Sequence, residues 1–317
     1  MIIHSRENQI EIAAPAKVNL FLELLNRRRD GFHEIETVMS SVSIFDHLRF
    51  TRRKDSKLVL SIGFTDRGTL AGEQDTIPTD HRNLVLKALQ LVRSTASNGL
   101  ESESCGIGIQ VDLQKNIPSA AGLGGASSDA AAALVAANHI WKLNWPAEKL
   151  SELASRLGSD VGFFLFGGTA ICRGRGELVT PIRAGAQLPI VVAKPQVALS
   201  TADVYGNVTL AGTPRGSEEL VQSVRRHDSA TLGESMFNRL QQFAEPLNQQ
   251  FACQLARLRR EFTRLNCLGH QMSGSGSSYF GVFSNARVAR LAARQLTCRL
   301  PDVRIFFSQT LTNPVPD

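Results

Sequence analysis

Paired cysteines are absent from this sequence. Its cysteines stand singly, no Cys-x-x-Cys pair occurs, and their odd number leaves no complete disulfide framework. The pattern excludes a disulfide-stapled secreted fold and a cysteine-based zinc site, and we expect reduced thiols in a cytosol. The positions are Cys105, Cys172, Cys253, Cys267 and Cys298.

Long hydrophobic runs are absent as well. No apolar segment reaches the ~20 residues that a membrane-spanning helix needs, and the N-terminus has no hydrophobic signal core. We therefore predict a cytoplasmic protein without a membrane partner.

A dense basic stripe with interleaved aromatic residues, typical of nucleic-acid binding, is also missing. The net charge of +6 is spread along the chain, with local clusters at Arg27–Arg29, Arg52–Lys54 and Arg225–Arg226. We interpret these clusters as solvated faces that attract small anionic substrates, and we predict no nucleic-acid partner. The sequence leaves the oligomeric state open between a monomer and a weak dimer.

The composition is that of a folded protein. A chain of 317 residues with 43% hydrophobic content is long enough for two domains of roughly 150 residues each. The pattern loosens over residues 173–186, and we predict an N-terminal domain over 1–180 and a C-terminal domain over 181–317. Helix and strand patterns mix without strict βαβ alternation, which favours an α+β architecture.

A glycine-rich segment stands between a strand pattern over 106–113 and an alanine-rich helix pattern. It reads PSAAGLGGASSDA and spans residues 118–130. Its glycines let the backbone approach a ligand, and Ser127, Ser128 and Asp129 are residue types that cap a helix start. Because free N–H groups and the positive end of a helix dipole meet there, the segment predicts a phosphate or other anion site. The alternative is a flexible turn before an ordinary buried helix.

Better-known phosphate loops do not fit this segment. A Walker A loop needs Lys-Ser/Thr after its last glycine, and no lysine follows Gly125. A dinucleotide fingerprint needs a third small residue and a following acid in a βαβ unit, and the HRD and DFG motifs of protein kinases are missing. The sequence therefore predicts a phosphate cradle of another kind.

Two polar residues interrupt the first apolar strand pattern, which covers residues 10–25 and which we expect to be broken at Ala14–Ala16. Lys17 and Asn19 lie on one face, because strand side chains repeat every second residue. A lysine in this setting is commonly a snorkelling surface group. Two polar side chains on one apolar face need a partner or a ligand, which favours a functional role.

Further polar groups stand beside apolar patterns. Asp160 directly precedes the run VGFFLF, where an acid must be a helix cap, an ion-pair partner or functional, because an unpaired buried carboxylate is costly. Asn83 begins a helix pattern over 83–92, where capping is the simpler interpretation. Phe32 and His33 follow an Asp-Gly turn and present an aromatic face beside a hydrogen-bonding ring, a pair that is commonly structural.

Capping residues and periodicity assign the remaining elements. Segment 68–82 is polar and predicts a surface loop, and a second glycine-serine loop begins at Met272 and leads into a strand. Helices are predicted over 147–157, 199–205, 217–226, 229–240, 246–263 and 285–296, and strands over 42–64, 189–195 and 303–310.

Together the motifs resemble those of a known family, the GHMP small-molecule kinases. The resemblance covers essentially the full length and rests on PAKVNLFL at Pro15, PSAAGLGGASSDAA at Pro118 and MSGSGSSYF at Met272. Within the family, the sequence is most similar to members that act on a cytidine-linked alcohol, through the blocks RRRDGFHEIET, GSDVGFF and KPQVALSTADVY.

This resemblance implies a two-domain fold with the ligands in the cleft between the domains. It implies that ATP, with Mg2+, lies on the glycine loop and that its γ-phosphoryl group passes to the 2-hydroxyl of a methylerythritol linked to cytidine diphosphate. The product would belong to the non-mevalonate route to isoprenoids. Asp160 would be the catalytic acid–base group that accepts the hydroxyl proton, and Lys17 its positively charged companion.

The resemblance also implies which residues bind each ligand. Asn83 would lie near the adenine, Phe32 and Tyr205 would stack on the cytosine, and His33 would read the edge of that base. Further substrate-side positions are Asn19, Gly274, Ser275 and Gly276. The ATP-binding loop would consist of Pro118, Ser119, Ala120, Ala121, Gly122, Leu123, Gly124, Gly125, Ala126, Ser127 and Ser128.

Three positions depart from the family pattern. Ala126 replaces a third consecutive glycine, so the backbone there must adopt a negative φ or tolerate strain. Gly162 replaces a proline at what we expect to be the start of a strand, and Arg239 replaces the acid of an Asn-Asp pair. These changes bear on substrate affinity. The alternatives are a GHMP kinase for mevalonate-like or homoserine-like alcohols, and a non-catalytic protein that keeps the fold.

Overall fold

The computed structural model describes residues 1–6, 8–64, 77–98, 106–210 and 212–312. The chain divides into two compact units that alternate along the sequence. Unit 1 consists of Met1–Ala16, Ile44–Ser119 and Gly124–Leu165, and unit 2 of Lys17–Ser43, Ala120–Leu123 and Phe166–Asp317. The boundary at residue 180 stays a prediction. Cys105 and most of the predicted surface loop 68–82 lie outside the described residues.

Unit 1 contains most of a sheet to which the first five strands of the chain belong. They are β1 (Ile2–Arg6), β2 (Gln9–Arg27), β3 (His33–Arg52), β4 (Leu58–Phe64) and β5 (Ile109–Lys115). They lie in the order β1-β2-β3-β5-β4, with β3 antiparallel and β4 parallel to β5. The later part of β2 and the earlier part of β3 belong to unit 2. Buried and more exposed side chains alternate along β5, as expected for a strand with one packed face.

A buried helix follows the glycine loop in unit 1. This helix, α2 (Gly125–Ile140), packs against α1 (Leu84–Asn98) and α3 (Ala147–Leu157). Its alanines allow close approach on several sides, and Ala130–Ala133 are fully buried. A short helix, α4 (Val161–Phe166), comes after α3.

Unit 2 contains a β-hairpin, β6 (Thr169–Gly174) with β7 (Leu178–Ile182), and an antiparallel sheet in the order β10-β11-β8-β12. Its core is mostly aliphatic and includes the buried aromatic residues Phe251, Phe262, Tyr279 and Phe283. The strands are β8 (Pro189–Pro195), β9 (Phe237–Asn238), β10 (Gly269–Met272), β11 (Tyr279–Val282) and β12 (Val303–Gln309). The helices are α5 (Thr201–Gly206), α6 (Glu218–Arg226), α7 (Ser229–Ser235), α8 (Gln241–Ala244), α9 (Gln249–Arg264) and α10 (Ala286–Arg299), with a 3-10 turn at Glu245–Leu247.

Several predicted elements are confirmed. Helix α3 and strand β8 have the predicted bounds. The Ser200 hydroxyl caps α5 by accepting a hydrogen bond from the Asp203 N–H at 3.3 Å. The mixture of helices and strands agrees with the predicted α+β class.

Three predictions about single segments are wrong. Strand β2 is continuous through Pro15, whose missing N–H breaks no pairing with β1 because that pairing ends at Ala13. The run after Asp160 forms helix α4 and not a strand, since a short apolar run has no period that separates the two. Helix α7 ends at Ser235, because Phe237 and Asn238 pair with β2 in parallel.

The hairpin β6–β7 occupies part of the segment in which the sequence pattern loosens. Among the described residues, no helix combines the length and the apolar character needed to cross a membrane. Of the described cysteines, Cys253, Cys267 and Cys298 carry free thiols.

Candidate active site

The unit 1 part of the glycine loop leads directly into α2. Gly124 is the residue before the helix and has a left-handed backbone, with φ 71° and ψ 18°, which glycine adopts without strain. Among the described residues, no side chain caps this helix start. The first N–H groups of a helix have no intrahelical partner, so this start offers N–H donors and the positive dipole end to an anion.

The expectation that Ser127, Ser128 and Asp129 cap the helix is wrong. Helix α2 begins at Gly125, so these residues lie within its first turns. Ala126 is also helical and keeps an ordinary negative φ, which resolves the concern raised by its replacement of glycine. Backbone strain sits earlier in the loop, at Ala120, whose φ is 47°.

The middle of the same loop belongs to unit 2, where it contacts the second glycine loop. The Ser273 hydroxyl donates to the Gly122 carbonyl oxygen at 3.0 Å, and the Ser278 N–H donates to the Ala121 carbonyl oxygen at 3.1 Å. A side chain at Gly122 would collide with the Ser273 backbone. The two glycine loops that the sequence singled out are therefore neighbours, and their glycines make this close approach possible.

Lys17 and Asn19 lie on one face of β2, as predicted. The Lys17 ammonium donates to the Asn19 Oδ1 atom at 2.6 Å, and the Asn19 Nδ2 atom donates to the Thr37 hydroxyl at 2.8 Å. Lys17 is only 4% exposed, so the interpretation as a snorkelling surface lysine is wrong. The Lys17 N–H also donates to the Leu123 carbonyl oxygen at 2.9 Å, which ties β2 to the glycine loop.

Gly274 lies against this polar pair. A Cβ atom at Gly274 would stand 3.2 Å from the Lys17 ammonium, 3.3 Å from the Asn19 amide oxygen and 3.4 Å from the Gly122 carbonyl oxygen. Its backbone has a φ of 55°, which further favours glycine. Unit 2 thus brings together one lysine, one amide and the backbone of both glycine loops.

Asn238 holds the backbone of the second glycine loop, a role that was not predicted from the sequence. Its Nδ2 atom donates to the carbonyl oxygens of Met272 at 2.7 Å and Gly274 at 2.8 Å. The Ser275 hydroxyl shares a hydrogen bond of 2.8 Å with Thr201. These bonds hold residues 272–275 in place.

Asn83 caps α1. Its Oδ1 atom accepts a hydrogen bond from the Val85 N–H at 2.9 Å, and its Nδ2 atom donates to the Pro78 carbonyl oxygen at 2.7 Å. The capping interpretation is therefore confirmed. Proximity to adenine stays a prediction.

Asp160 lies between α3 and α4. The turn is closed by the Val161 N–H, which donates to the Gly158 carbonyl oxygen at 3.2 Å, so Asp160 stands directly before the first residue of α4. Its side chain is half-buried. Its catalytic role stays a prediction.

The rings of His33 and Tyr205 lie side by side in unit 2, with centroids 5.7 Å apart and planes tilted by 36°. Burial and the nearby Arg27 charge lower the pKa of His33 below its usual value, so its imidazole is neutral near pH 7. Phe32 is 52% exposed, and the Arg175 guanidinium lies 5.0 Å from its ring centroid. The aromatic pair of His33 and Tyr205 thus lies at the start of β3, and the exposed ring of Phe32 comes directly before it in the chain.

Two buried charge clusters were missed by sequence reasoning. In unit 2, the Glu23 carboxylate is fully buried and accepts two hydrogen bonds of 2.7 Å from Arg239. Burial alone would raise the pKa of Glu23, but the hydrogen bonds from Arg239, Arg215 and Leu24 outweigh it and lower the pKa. Arg239, which departs from the family pattern, therefore has its counterion inside this chain. The second cluster surrounds Lys115 in unit 1.

Comparisons with known proteins match both parts of the chain. Residues 83–168 match the model for the GHMP kinases N terminal domain, and residues 220–302 match the model for the GHMP kinases C terminal. The 4-diphosphocytidyl-2-C-methyl-D-erythritol kinase of Alkaliphilus metalliredigens is 34% identical over 91% of this chain and 93% of its own length. The enzyme of the same name from Pelotomaculum thermopropionicum is 35% identical over 96% of this chain and 99% of its own length.

The chain belongs to the GHMP kinase family. As a GHMP kinase it is a small-molecule kinase that uses ATP as co-substrate. A crystal structure of 4-(cytidine 5'-diphospho)-2C-methyl-D-erythritol kinase has a TM-score of 0.73 and 31% identity, covering 95% of this chain and 98% of that one. A homoserine kinase structure from Cytophaga hutchinsonii has the same TM-score of 0.73 at 19% identity, covering 99% of this chain and 98% of that one, which shows the fold alone.

Proposed function

We propose that this GHMP kinase transfers the γ-phosphoryl group of ATP to the 2-hydroxyl of 4-diphosphocytidyl-2-C-methyl-D-erythritol. The observation that carries the proposal is the near full-length similarity, at 34–35% identity, to relatives that bear the name of this kinase. The resemblance to mevalonate and homoserine kinases is much weaker, at 17% and 19% identity, and concerns the fold.

Asp160 is the proposed general base. In the reaction, the substrate hydroxyl oxygen bonds to the γ-phosphorus while the bond from that phosphorus to the β–γ bridging oxygen breaks and ADP leaves. The hydroxyl proton passes to the Asp160 carboxylate. A positioned base of this kind commonly contributes about 10² to 10⁴ in rate.

Lys17 is the proposed electrostatic catalyst. Asn19 orients its ammonium through the hydrogen bond of 2.6 Å, and Gly274 leaves space beside it that a side chain would narrow. A fixed positive charge stabilises the negative charge that spreads over the phosphoryl oxygens in the transition state. Because Lys17 is buried, water screens this charge weakly.

The glycine loop is the proposed phosphate site, through the N–H groups at the start of α2. Mg2+ fits the oxygen chemistry there: the Ser128 hydroxyl is fully buried and has no hydrogen-bond partner among the described residues. The described residues contain no cluster of three or more His, Cys, Asp or Glu side chains suited to a metal, so a magnesium ion would take most ligands from phosphates and water. When bound, the ion would neutralise phosphate charge.

His33, Tyr205 and Phe32 form the proposed cytosine site. A neutral histidine can donate from one ring nitrogen and accept at the other, which matches the donor and acceptor on the cytosine edge. The aromatic rings offer stacking surfaces. Together they would make the enzyme depend on the nucleotide part of its substrate.

A substrate panel tests the proposal. The purified protein would be incubated with ATP, Mg2+ and one of four alcohols: the cytidine-linked methylerythritol, free methylerythritol, mevalonate or homoserine. ADP release would be measured, and the product identified by phosphorus NMR. We expect turnover with the cytidine-linked alcohol alone. Comparable turnover with mevalonate or homoserine would reassign the chain to another GHMP activity, and ADP release with none of the alcohols would favour a non-catalytic protein.

A further inference from the structure

Three charged side chains are buried together in unit 1, next to the glycine loop. Asp46 lies on β3, Lys115 is the last residue of β5, and Asp129 lies in α2. Their exposed fractions are 0%, 5% and 2%. The proposed chemistry of phosphoryl transfer uses none of them.

Lys115 joins the two carboxylates. Its ammonium donates to the Asp129 Oδ2 atom at 2.9 Å and also donates to the Asp46 Oδ2 atom. The other oxygen of Asp46 accepts the backbone N–H groups of Asn116 at 2.6 Å and Ile117 at 2.9 Å. The cluster therefore holds the residues directly before the glycine loop and the helix directly after it.

Gly125 shows how closely these two ends approach. A Cβ atom there would stand 3.3 Å from the Lys115 ammonium and 3.0 Å from the Ile117 Cγ2 atom. Gly125 is helical, so it is required for space and not for an unusual φ. The start of α2 thus packs closely against the end of β5. The ion pairs of Lys115 set the distance between them.

Stability alone is a poor explanation for such a cluster. Removing charges from water is expensive, and well-packed apolar residues commonly serve as well or better in a core. The ion pairs that the structure describes here place one cation against two carboxylates. Burial raises the pKa of Asp129 to about 7, which reflects the cost of holding both acids ionised. The cluster is costly, and the proposed reaction uses none of its side chains. It therefore indicates a role in setting the geometry of the adjoining glycine loop.

We propose that Lys115, Asp46 and Asp129 are positioning residues for ATP: they fix the first turn of α2 relative to the end of β5, and so hold the N–H groups of the glycine loop in the arrangement that binds phosphates. The proposal rests on the proposed assignment of the ATP phosphates to this loop. It concerns ATP binding, and the identity of the alcohol does not enter it.

The test compares Asp129→Ala with Asp129→Asn. The alanine variant cuts the link to α2 but keeps the Lys115–Asp46 pair, whereas the asparagine variant keeps an oxygen that can accept from Lys115. Binding of a non-hydrolysable ATP analogue would be measured by calorimetry without the alcohol. Loss of one hydrogen bond to a charged phosphate weakens binding by about tenfold or more, so we expect the alanine variant to bind at least about tenfold more weakly. The asparagine variant should bind within about twofold of the parent protein.

Leu134→Ala is the matched control for lost stability. Leu134 is a fully buried residue of the same helix and takes no part in the cluster. If this control loses as much melting temperature as Asp129→Ala and weakens ATP binding equally, the cluster is merely structural and the proposal is wrong. The proposal is also wrong if Asp129→Ala folds and binds the analogue like the parent.

Gly125→Ala provides a second route if Asp129→Ala does not fold. The added methyl group would push α2 from Lys115 and Ile117 while all charges remain. We expect weaker ATP binding with an unchanged KM for the alcohol, and unchanged ATP binding would overturn the argument from spacing. Gly124→Val tests the phosphate site on which this proposal rests. Normal ATP binding in that variant would place the phosphates outside this loop, and would contradict the proposed phosphate site without changing the proposed reaction.

Discussion

Lys115 of unit 1 and Lys17 of unit 2 are both buried lysines beside a glycine loop, but their neighbours differ. Lys115 donates to the carboxylates of Asp46 and Asp129, and this attraction outweighs burial and raises the pKa of Lys115. Lys17 donates to the amide oxygen of Asn19, which orients its ammonium. Burial of a lysine beside a glycine loop therefore does not by itself indicate its role. We propose that Lys115 has a positioning role and that Lys17 takes part in the reaction.

The largest effect should come from an acid that lies outside the Lys115 cluster. Asp160→Asn should fold normally and lose about 10² to 10⁴ in turnover, because an amide cannot accept the hydroxyl proton. Single-turnover kinetics at saturating ATP would measure this loss. Asp129→Asn, which changes an acid of the same unit inside the cluster, is the matched control and should retain turnover. Full activity of Asp160→Asn would contradict the proposed role of Asp160 as general base, and would leave no functional difference between Asp160 and Asp129.

Lys17→Ala should have the next largest effect. Loss of a fixed charge that stabilises the transition state commonly lowers turnover by about 10² to 10³, and ATP should still bind through the loop N–H groups. Turnover and binding of a non-hydrolysable ATP analogue would be measured on the same preparation. A variant that loses melting temperature but keeps turnover would mean that Lys17 only stabilises the fold.

Tyr205→Ala tests the proposed cytosine site in unit 2. Loss of a stacking ring is worth roughly 1 to 3 kcal/mol, so the KM for the cytidine-linked alcohol should rise about tenfold or more while the KM for ATP stays unchanged. Tyr205→Phe keeps the ring and should behave like the parent. An equal rise in both KM values would indicate general damage to the fold.

The smallest effect concerns stability and pH. Burial raises the pKa of Asp129, attraction to Lys115 opposes the rise and repulsion from Asp46 adds to it, with a result of about 7. In an unfolded chain the pKa of an aspartate has its ordinary value of about 3.9. Between about pH 4 and pH 7 the folded state therefore binds the Asp129 proton more tightly than the unfolded state does. Stability from this group is therefore greatest at low pH and is lost as pH rises through this window.

Melting temperatures of the parent and of Asp129→Asn across that window would check this dependence. An asparagine at position 129 does not titrate. The melting temperature of the parent should therefore fall relative to that of the variant as pH rises through this window. Parallel curves would show that Asp129 titrates at an ordinary value and that the cluster is less strained than its burial indicates.

Much of the local structure could be predicted because its signals lie within a few residues. Asn83 and Ser200 cap helices as their positions indicate, and the two-residue period of a strand places Lys17 and Asn19 on one face. The glycine loop leads into a buried alanine-rich helix, as predicted. The capping prediction for Ser127 failed by a few residues, since a left-handed glycine already begins the helix.

Short-range signals in the sequence predict much of the backbone: glycine at most of the described positions with a positive φ, capping side chains at several helix starts, and apolar periods that assign most helices and strands. Which charges pair depends on the tertiary structure. Glu23 pairs with Arg239 across 216 positions, and Asp46 with Lys115 across 69. No local signal marks such a pair, because each partner alone resembles a solvated surface charge. The attraction within such a pair becomes strong only after distant strands have excluded water from both side chains.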